Sequence, residues 1–309
     1  MSLLVVMSLA KEKIIVFHAG SLSVPFAKME QEFEIQYPQY DVLRELAGSM
    51  ASARKITDIG KPADVMASAA YQVIDNLLIP EYAKVNIQFA TNEMAIAYTQ
   101  KSKYASEINE KNWTKIFLRD GVKIGHSNPN LDPCGYRSIL VTKLAEEYYK
   151  EDDFYNKLLG YGESYSNGEE KRAKVIVRPK ETDLLGLLEA SMFDYLYIYK
   201  SVAEQHKLSY ITLPPKISLK DRKFASFYKN AQFDITGKTP NTLITKKGSA
   251  MVYGITIVEN NNKSLPRNRK GAKAFVNFVL SPKGQKVMQR NGQGVINPPI
   301  ITGDKSILN

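Results

Sequence analysis

Three short apolar segments near the start of the chain each lead into a turn of small residues and then into a helical pattern. Alternation of this kind predicts a parallel sheet covered by helices, because parallel strands need helical crossovers. The three segments with their turns are Ile14 to Phe17 before Ala19-Gly20-Ser21, Asp41 to Leu46 before Ala47-Gly48-Ser49, and Ala63 to Ala67 before Ser68-Ala69-Ala70.

The residues after the first turn carry the clearest helical signal. Leu22, Phe26, Met29 and Phe33 follow one another at spacings of four, three and four, as on one face of a helix. Pro25 falls in the first turn, where its missing N–H costs nothing.

Gly20-Ser21 and Gly48-Ser49 both stand where a predicted strand passes into a helix. Each pair offers a glycine that permits close approach, a hydroxyl, and free backbone N–H groups that suit an anion. Either pair alone is equally an ordinary turn or helix cap. Together they would lie at the carboxyl edge of one sheet, where α/β folds bind ligands.

A second α/β series follows an extended stretch from Ile87 to Tyr98. We predict two lobes, with residues 1–91 and 249–309 forming lobe one, residues 92–248 forming lobe two, and a ligand cleft between them. The two chain crossings, near Thr91 and Gly248, would form a hinge. Two further stretches look less regular: residues 161–174 read as an exposed loop, and residues 214–248 as irregular structure.

Composition excludes several classes of protein. Lys and Arg exceed Asp and Glu by ten, 42 against 32, but no basic run or basic–aromatic stripe predicts nucleic-acid binding. Cys134 is the only cysteine, so neither disulfides nor a thiolate metal site are expected. His18, His126 and His206 lack metal-ligand spacing. No apolar run is long enough to span a membrane. The short one from Leu3 to Ala10 is either the tail of a secretory signal or a remnant of expression cloning, and its form favours export.

Asp132-Pro133-Cys134-Gly135 opens a predicted helix from Asp132 to Tyr149. Asp before Pro is a standard helix start, but in lobe two it would also place Asp132 and the Cys134 amide across the cleft. A nucleophilic role for Cys134 would need a lowered pKa, and no partner base is evident.

Glu189 is a carboxylate in an apolar segment, Leu184 to Met192, which we predict to be helical. It would either point into the cleft or occupy the one solvated stripe of its helix. Tyr199 closes the strand Tyr195 to Tyr199 and can offer its phenol to the same place.

Six motifs, in order along the chain, resemble those of the archaeal-type tungstate/molybdate-binding proteins of ABC transporters. The resemblance covers the chain from about Lys13 onward. The motifs are His18-Ala19-Gly20-Ser21-Leu22, Ala47-Gly48-Ser49, Gly60-Lys61-Pro62-Ala63-Asp64-Val65, Asp132-Pro133-Cys134-Gly135-Tyr136-Arg137, Phe193-Asp194-Tyr195 with Ile198-Tyr199-Lys200, and Val252-Tyr253-Gly254-Ile255-Thr256.

This resemblance implies an α/β, two-lobed type II periplasmic-binding fold, each lobe a mixed or parallel sheet flanked by helices. It implies that oxyanion donors come from Gly20, Ser21 and Ser49 in lobe one and from Pro133, Cys134 and Tyr199 in lobe two. The ligand would be tungstate or molybdate, with no cofactor, and Asp132 and Glu189 would coordinate its metal.

The resulting expectation is a monomeric, exported solute-binding protein that delivers tungstate or molybdate to an ABC permease, in a form without a complete signal peptide. Two alternatives stay open. One is a binding protein for another small oxyanion, sulfate or phosphate. The other is an enzyme that uses Asp132 and Glu189 as acid and base, or Cys134 as nucleophile.

Overall fold

A computed structural model describes residues 10–162, 165, 174–237, 239, 241–259 and 268–308. The apolar run near the amino terminus therefore lies outside the described residues, except for Ala10. The same holds for most of the stretch 161–174, but its described tyrosines, Tyr161 and Tyr165, are buried, so the prediction of a wholly exposed loop is wrong there.

The first sheet has six strands in the order β13-β4-β12-β3-β1-β2. Its strands are β1 (Glu12–His18), β2 (Tyr40–Leu46), β3 (Val65–Ser68), β4 (Val85–Thr91), β12 (Val252–Ile257) and β13 (Gly294–Gly303). β1 is parallel to both β2 and β3, as the alternating pattern predicts. The other pairings, β12 with β3 and β4 and β13 with β4, are antiparallel, so the sheet is mixed.

The second sheet has five strands in the order β7-β6-β8-β5-β9. Its strands are β5 (Met94–Tyr98), β6 (Ile124–Ser127), β7 (Val175–Arg178), β8 (Tyr195–Tyr199) and β9 (Ser209–Thr212). β6 is parallel to β7 and β8, whereas β5 is antiparallel to β8 and β9.

Helices flank the two sheets. They are α1 (Ser23–Gln36), α2 (Ser49–Thr57), α3 (Tyr71–Val73, continued by a π-helical turn Ile74–Leu78), α4 (Trp113–Leu118), α5 (Pro133–Tyr149), α6 (Phe154–Leu158), α7 (Leu185–Glu189), α8 (Lys200–Gln205), α9 (Ala225–Tyr228), α10 (Arg269–Leu280) and α11 (Pro282–Arg290). Two of these helices, α6 and α9, lie where no helix was predicted. Phe26, Met29 and Phe33 are fully buried along α1, as their spacing predicts, and so is Leu22, the residue just before the helix.

The stretch 214–248 contains a β-hairpin that we did not predict. β10 (Gln232–Thr236) and β11 (Leu243–Lys247) pair antiparallel as a separate small sheet. Phe233 and Ile235 alternate with more exposed neighbours, and both are buried. The hairpin is stabilised by this one buried face. The face is hard to predict from the sequence because lysines and turn residues surround its few apolar residues.

The chain passes twice between the sheets, once between Thr91 and Met94 and again between Lys247 and Val252. Strand ends from the two sheets meet there: Asn92 donates from Nδ2 to the Ser201 Oγ, at 2.7 Å, and to the Tyr253 hydroxyl, at 2.9 Å. The lobe boundaries at 91/92 and 248/249 stay a prediction.

Candidate functional site

The first corner of the candidate site follows β1, where Gly20–Leu22 forms a single 3-10 turn. Ser21 is fully buried, and its Oγ lies 2.9 Å from the Tyr253 hydroxyl, which donates to it. The Ser21 carbonyl accepts from Gln293 Nε2 at 3.0 Å. The hydroxyl and carbonyl of Ser21 are therefore held by two other strands or loops of the first sheet.

The second corner follows β2, where Ser49 begins α2. The Ser49 Oγ accepts from the Ala69 backbone N–H at 3.0 Å. The next two N–H groups of the helix, those of Met50 and Ala51, both donate to the Leu131 carbonyl at 3.2 Å. Because Leu131 lies between β6 and α5, the second sheet's side of the molecule directly engages the amino end of α2.

Gly48 explains how the two sides approach so closely. A Cβ added at Gly48 would lie 2.4 Å from the Leu131 carbonyl oxygen and 3.0 Å from the Asp132 Cβ. A side chain at this position would push the two corners apart, so glycine is required by the contact.

Asp132 is buried at the amino terminus of α5, as the sequence predicts. Its Oδ1 accepts from the Cys134 N–H at 3.3 Å, the standard capping bond. Its Oδ2 accepts from the Glu181 N–H at 3.1 Å. Asp132 therefore fixes the backbone of Glu181, which the sequence analysis did not select.

Glu181 is the second carboxylate of the cluster. It is fully buried at the start of a 3-10 turn, Glu181–Leu184, that follows β7. A Cβ added at Gly20 would lie 2.6 Å from Glu181 Oε1 and 2.8 Å from Oε2, so the carboxyl group packs against the first corner. Neither oxygen makes a hydrogen bond of ordinary geometry within the described residues.

The ionisation of Glu181 is strongly disfavoured. Burial raises its pKa well above the usual range of a glutamate, and the neighbouring Asp132 carboxylate raises it further. The Ser21 backbone N–H opposes the rise only in part. The Glu181 carboxyl group therefore holds its proton more tightly than an ordinary glutamate does.

The prediction that Glu189 points into the cleft is wrong. Glu189 is exposed at the last position of α7, while Leu185 and Leu188 supply the buried face of that helix. The apolar sequence around Glu189 buries its neighbours and leaves its own side chain in solvent. Glu181 shares with Gly20, Ser49 and Asp132 a position just after a strand, and that shared position is the signal that identifies it.

Pro133 and Cys134 lie where predicted, in the first turn of α5, and both are buried. The Cys134 N–H is used by Asp132, and its Sγ lies 3.7 Å from the Tyr197 carbonyl oxygen. Burial raises the pKa of the thiol well above its usual range, and the Asp132 charge adds to the effect. The thiol therefore stays protonated, which is the opposite of what a nucleophilic cysteine needs.

Tyr199 is fully buried at the end of β8, and its hydroxyl accepts from Arg137 Nη1 at 2.9 Å. The same nitrogen donates to the Ala69 carbonyl at 2.9 Å. Arg137 thus joins α5 to the first sheet. It is itself buried, and no carboxylate pairs with it among the described residues. Arg137 is thus a buried guanidinium without a carboxylate partner in the described residues, beside a candidate anion site. We did not select it from the sequence because nothing in the pattern of α5 distinguishes it.

Two histidines at strand ends stay neutral. Burial lowers the pKa of both His18 and His126 to about 4. His126 contacts the Ser127 carbonyl and the Tyr161 hydroxyl, each at 2.8 Å. Across the described ranges, no group of three or more His, Cys, Asp and Glu side chains is arranged to hold a metal ion.

Comparison with known proteins supports the resemblance predicted from the six motifs. The family described as "Bacterial extracellular solute-binding protein" matches residues 14–293. The Molybdate/tungstate-binding protein WtpA of Pyrococcus abyssi is 44% identical over 94% of this chain and 87% of its own length. That of Thermococcus kodakarensis is 43% identical over 94% of this chain and 84% of its own length. An uncharacterized solute-binding protein of Petrotoga mobilis is 54% identical over 93% of this chain and 85% of its own length.

Solved structures agree in fold. The periplasmic molybdate-binding protein of Azotobacter vinelandii superposes with a TM-score of 0.62 at 14% identity, covering 91% of this chain and 98% of that one. The sulfate-binding protein SubI of Mycobacterium tuberculosis gives 0.60 at 14% identity, covering 96% and 88%. At such identities the likeness concerns the fold alone, and it confirms the predicted two-lobed periplasmic-binding architecture.

Within the described residues, no helix is both long enough and apolar enough to cross a membrane. The matched family, the relatives and the fold agree with one another. The chain belongs to the family of bacterial extracellular solute-binding proteins.

Proposed function

We propose that this protein is the extracytoplasmic binding component of an ABC importer and that it captures tungstate or molybdate between its two sheets. The relatives named for molybdate and tungstate support the ligand. The observation that carries the proposal is the buried pair of carboxyl groups, Asp132 and Glu181, packed against Gly20.

Carboxylates are informative because they repel a dianion. A site that recognises only the oxygens of a tetrahedral dianion is best built from neutral donors. Two carboxylates become favourable when they coordinate the metal itself, since hard oxygen ligands suit a highly charged metal centre. Tungsten and molybdenum can expand from four oxygen neighbours to six, whereas the central atoms of sulfate and phosphate do not under ordinary conditions. We therefore assign Asp132 and Glu181 to selection of the heavy oxyanion.

Most of the remaining candidate residues would hold the oxygens. The donors are the hydroxyls of Ser21, Ser49 and Tyr199 and the backbone N–H groups of the corner at Gly20. Pro133 has no N–H and the Cys134 N–H already donates to Asp132, so these two residues would shape the site by packing rather than by donating to the anion. Arg137 supplies a fixed positive charge 2.9 Å from the Tyr199 hydroxyl. That charge offsets part of the repulsion between the dianion and the acidic pair.

Substitution of the two carboxylates tests the assignment by calorimetry. Asp132→Asn keeps a helix-capping side chain, and Glu181→Gln keeps the shape of the buried group. We expect each to weaken tungstate binding by about a hundredfold or more, since each removes a ligand of the metal. Glu189→Gln removes an exposed carboxylate from the same region and should bind tungstate like the wild type.

Competition with sulfate and phosphate separates this proposal from a general oxyanion-binding protein. Wild-type protein should keep tungstate bound in a large excess of either anion. Equal displacement by sulfate, or full tungstate affinity in both carboxylate variants, would remove the assigned role of the acidic pair. The raised pKa of Cys134 and the family membership favour binding over catalysis.

A further inference from the structure

A cavity of about 140 Å³ lies beside the candidate site and shares Arg137 with it. None of the proposed oxyanion donors and neither carboxylate of the acidic pair lines this cavity. Its polar wall comes from three elements: Gln72 and Asn76 in and after α3, Arg137 in α5, and Thr245, Lys246 and Lys247 in β11. It therefore contacts both sides of the molecule near the second chain crossing.

The charge of this cavity is unusual for a protein interior. Lys246 is only 9% exposed, and its ammonium group has no ion pair or hydrogen bond within the described residues. The ammonium group lies over the Tyr136 ring, whose centroid is 5.5 Å away. Buried cations are normally paired, and here two of them, Arg137 and Lys246, face one space with no Asp or Glu in its lining.

The two cations also act on each other. Burial, and to a lesser extent the charge of Arg137, lower the pKa of Lys246 to about 8. An anion placed between them would relieve both the desolvation of the ammonium group and the repulsion between like charges. Since one water needs roughly 30 Å³, the cavity has room for several waters or for one small anion with fewer waters.

We propose that the Arg137–Lys246 cavity is a second binding site for a small inorganic oxyanion, distinct from the Asp132–Glu181 cluster. The site has cations and neutral donors but no carboxylate to coordinate a metal. It should therefore accept sulfate-like and tungstate-like anions alike, and more weakly than the acidic pair binds its own ligand. The cavity is lined by residues from both sides of the molecule, so an anion held there would also bridge the two sides.

Selenate is a suitable probe, because it mimics sulfate and gives a distinct anomalous signal beside tungsten. Protein with and without one equivalent of tungstate, which fills the tighter site first, would be titrated with selenate at constant ionic strength. We expect tungstate-loaded wild type to bind one equivalent. Lys246→Gln should weaken this binding by about tenfold or more, because a buried charge-assisted contact is lost.

Two further variants control for charge and for folding. Lys229→Gln removes one exposed positive charge elsewhere and should bind selenate like the wild type. Lys246→Arg keeps the charge and should retain binding. Crystals of the tungstate-loaded protein soaked in selenate should show selenium between Arg137 and Lys246.

Three outcomes would overturn the proposal: no selenate binding by the wild type, equal losses in Lys246→Gln and Lys229→Gln, or selenium found only at the Asp132–Glu181 cluster. A failure of the protein to bind tungstate at all would be seen separately, in the calorimetric titration with tungstate described above. Selenate binding by the unloaded protein, compared with its Lys246→Gln variant, would still report on the cavity.

Discussion

At the level of single residues, Glu181 is a fully buried carboxyl group whose ionisation is costly. Its raised pKa means that the folded protein holds this proton more tightly than the unfolded chain does. Such a group favours the folded state below the ordinary glutamate pKa. This contribution is lost as the pH rises towards the raised, folded-state value. The unliganded protein should therefore be less stable at pH 8 than an otherwise identical protein without this carboxyl group.

Glu181→Gln should reveal that cost directly. We expect the variant to raise the Tm of the unliganded protein at pH 8, by roughly 2–4 °C for each kcal/mol recovered. The gain at pH 5 should be smaller. Thermal unfolding of both proteins at the two pH values measures the difference. Glu189→Gln, which removes an exposed carboxylate, should show no such pH-dependent gain, and an equal gain at both pH values would contradict the argument.

Sequence reasoning found most of these residues because they follow strands. Gly20, Ser21, Ser49 and Asp132 lie beside turns or helix starts that short-range patterns predict. Glu181 also follows a strand, β7, but it lies in a short 3-10 turn that no helix-start pattern marks. Glu189, in contrast, stands out only because its neighbours are apolar. Apolar neighbours show that a helix is buried on one side, but they do not show on which side a particular carboxylate lies.

At the level of elements, α2 holds the two sides of the molecule together through one arginine. Arg54 Nη1 donates to the Asn130 carbonyl at 3.0 Å, beside the loop that precedes α5. Its Nη2 donates to the carbonyls of Thr236 and Gly237 at 3.0 and 3.1 Å, at the end of β10. One planar side chain thus joins a helix of the first sheet to two segments on the other side.

Arg54→Met should weaken this closed arrangement without altering the candidate site's own groups. We expect tungstate binding to weaken by about tenfold, chiefly through faster dissociation, because the closed form loses three hydrogen bonds. Stopped-flow dissociation measures the effect. Lys55→Met is the matched control, since Lys55 pairs with Glu45 on its own side of the molecule, and it should leave the rate unchanged.

The hairpin of β10 and β11 shows where prediction from sequence fails at this level. Its strands are short, rich in lysine and threonine, and buried on one face only. That burial depends on α5, which lies far away in the chain. A pattern read over a few neighbouring residues does not include such a partner.

For the whole molecule, the two chain crossings are suited to act as a hinge, and several contacts join the two sides. Gly48 against Leu131, Arg137 against Ala69 and Glu181 against Gly20 all join the two sides. Ligand binding that adds contacts to both sides shifts the population towards the closed form. We propose that these contacts belong to that closed form.

Small-angle scattering should therefore detect compaction when tungstate is added. The radius of gyration is expected to fall on addition of tungstate and to stay unchanged with the same concentration of sulfate. Under the same conditions, Glu181→Gln should compact less at equal tungstate concentration. A radius that is identical with and without tungstate would count against hinge closure.

The fold as a whole was the easiest part to predict, because alternating strands and helices leave few possible arrangements. The antiparallel strands β12 and β13, which return to the first sheet from the far end of the chain, mattered most for the two-lobed arrangement. The return of the C-terminal residues to lobe one was predicted from the organisation of the chain, but local patterns do not reveal which neighbours a late strand pairs with.

The close approach at Gly20 has a consequence for how this protein could change its ligand over evolution. The space that a methyl group would occupy at residue 20 is taken by the carboxyl group of Glu181. Any larger residue at position 20 would displace that carboxyl group. A substitution at position 20 is therefore expected to change ligand preference as strongly as a change in a coordinating residue. The lack of a side chain at Gly20 is thus part of what determines the selectivity.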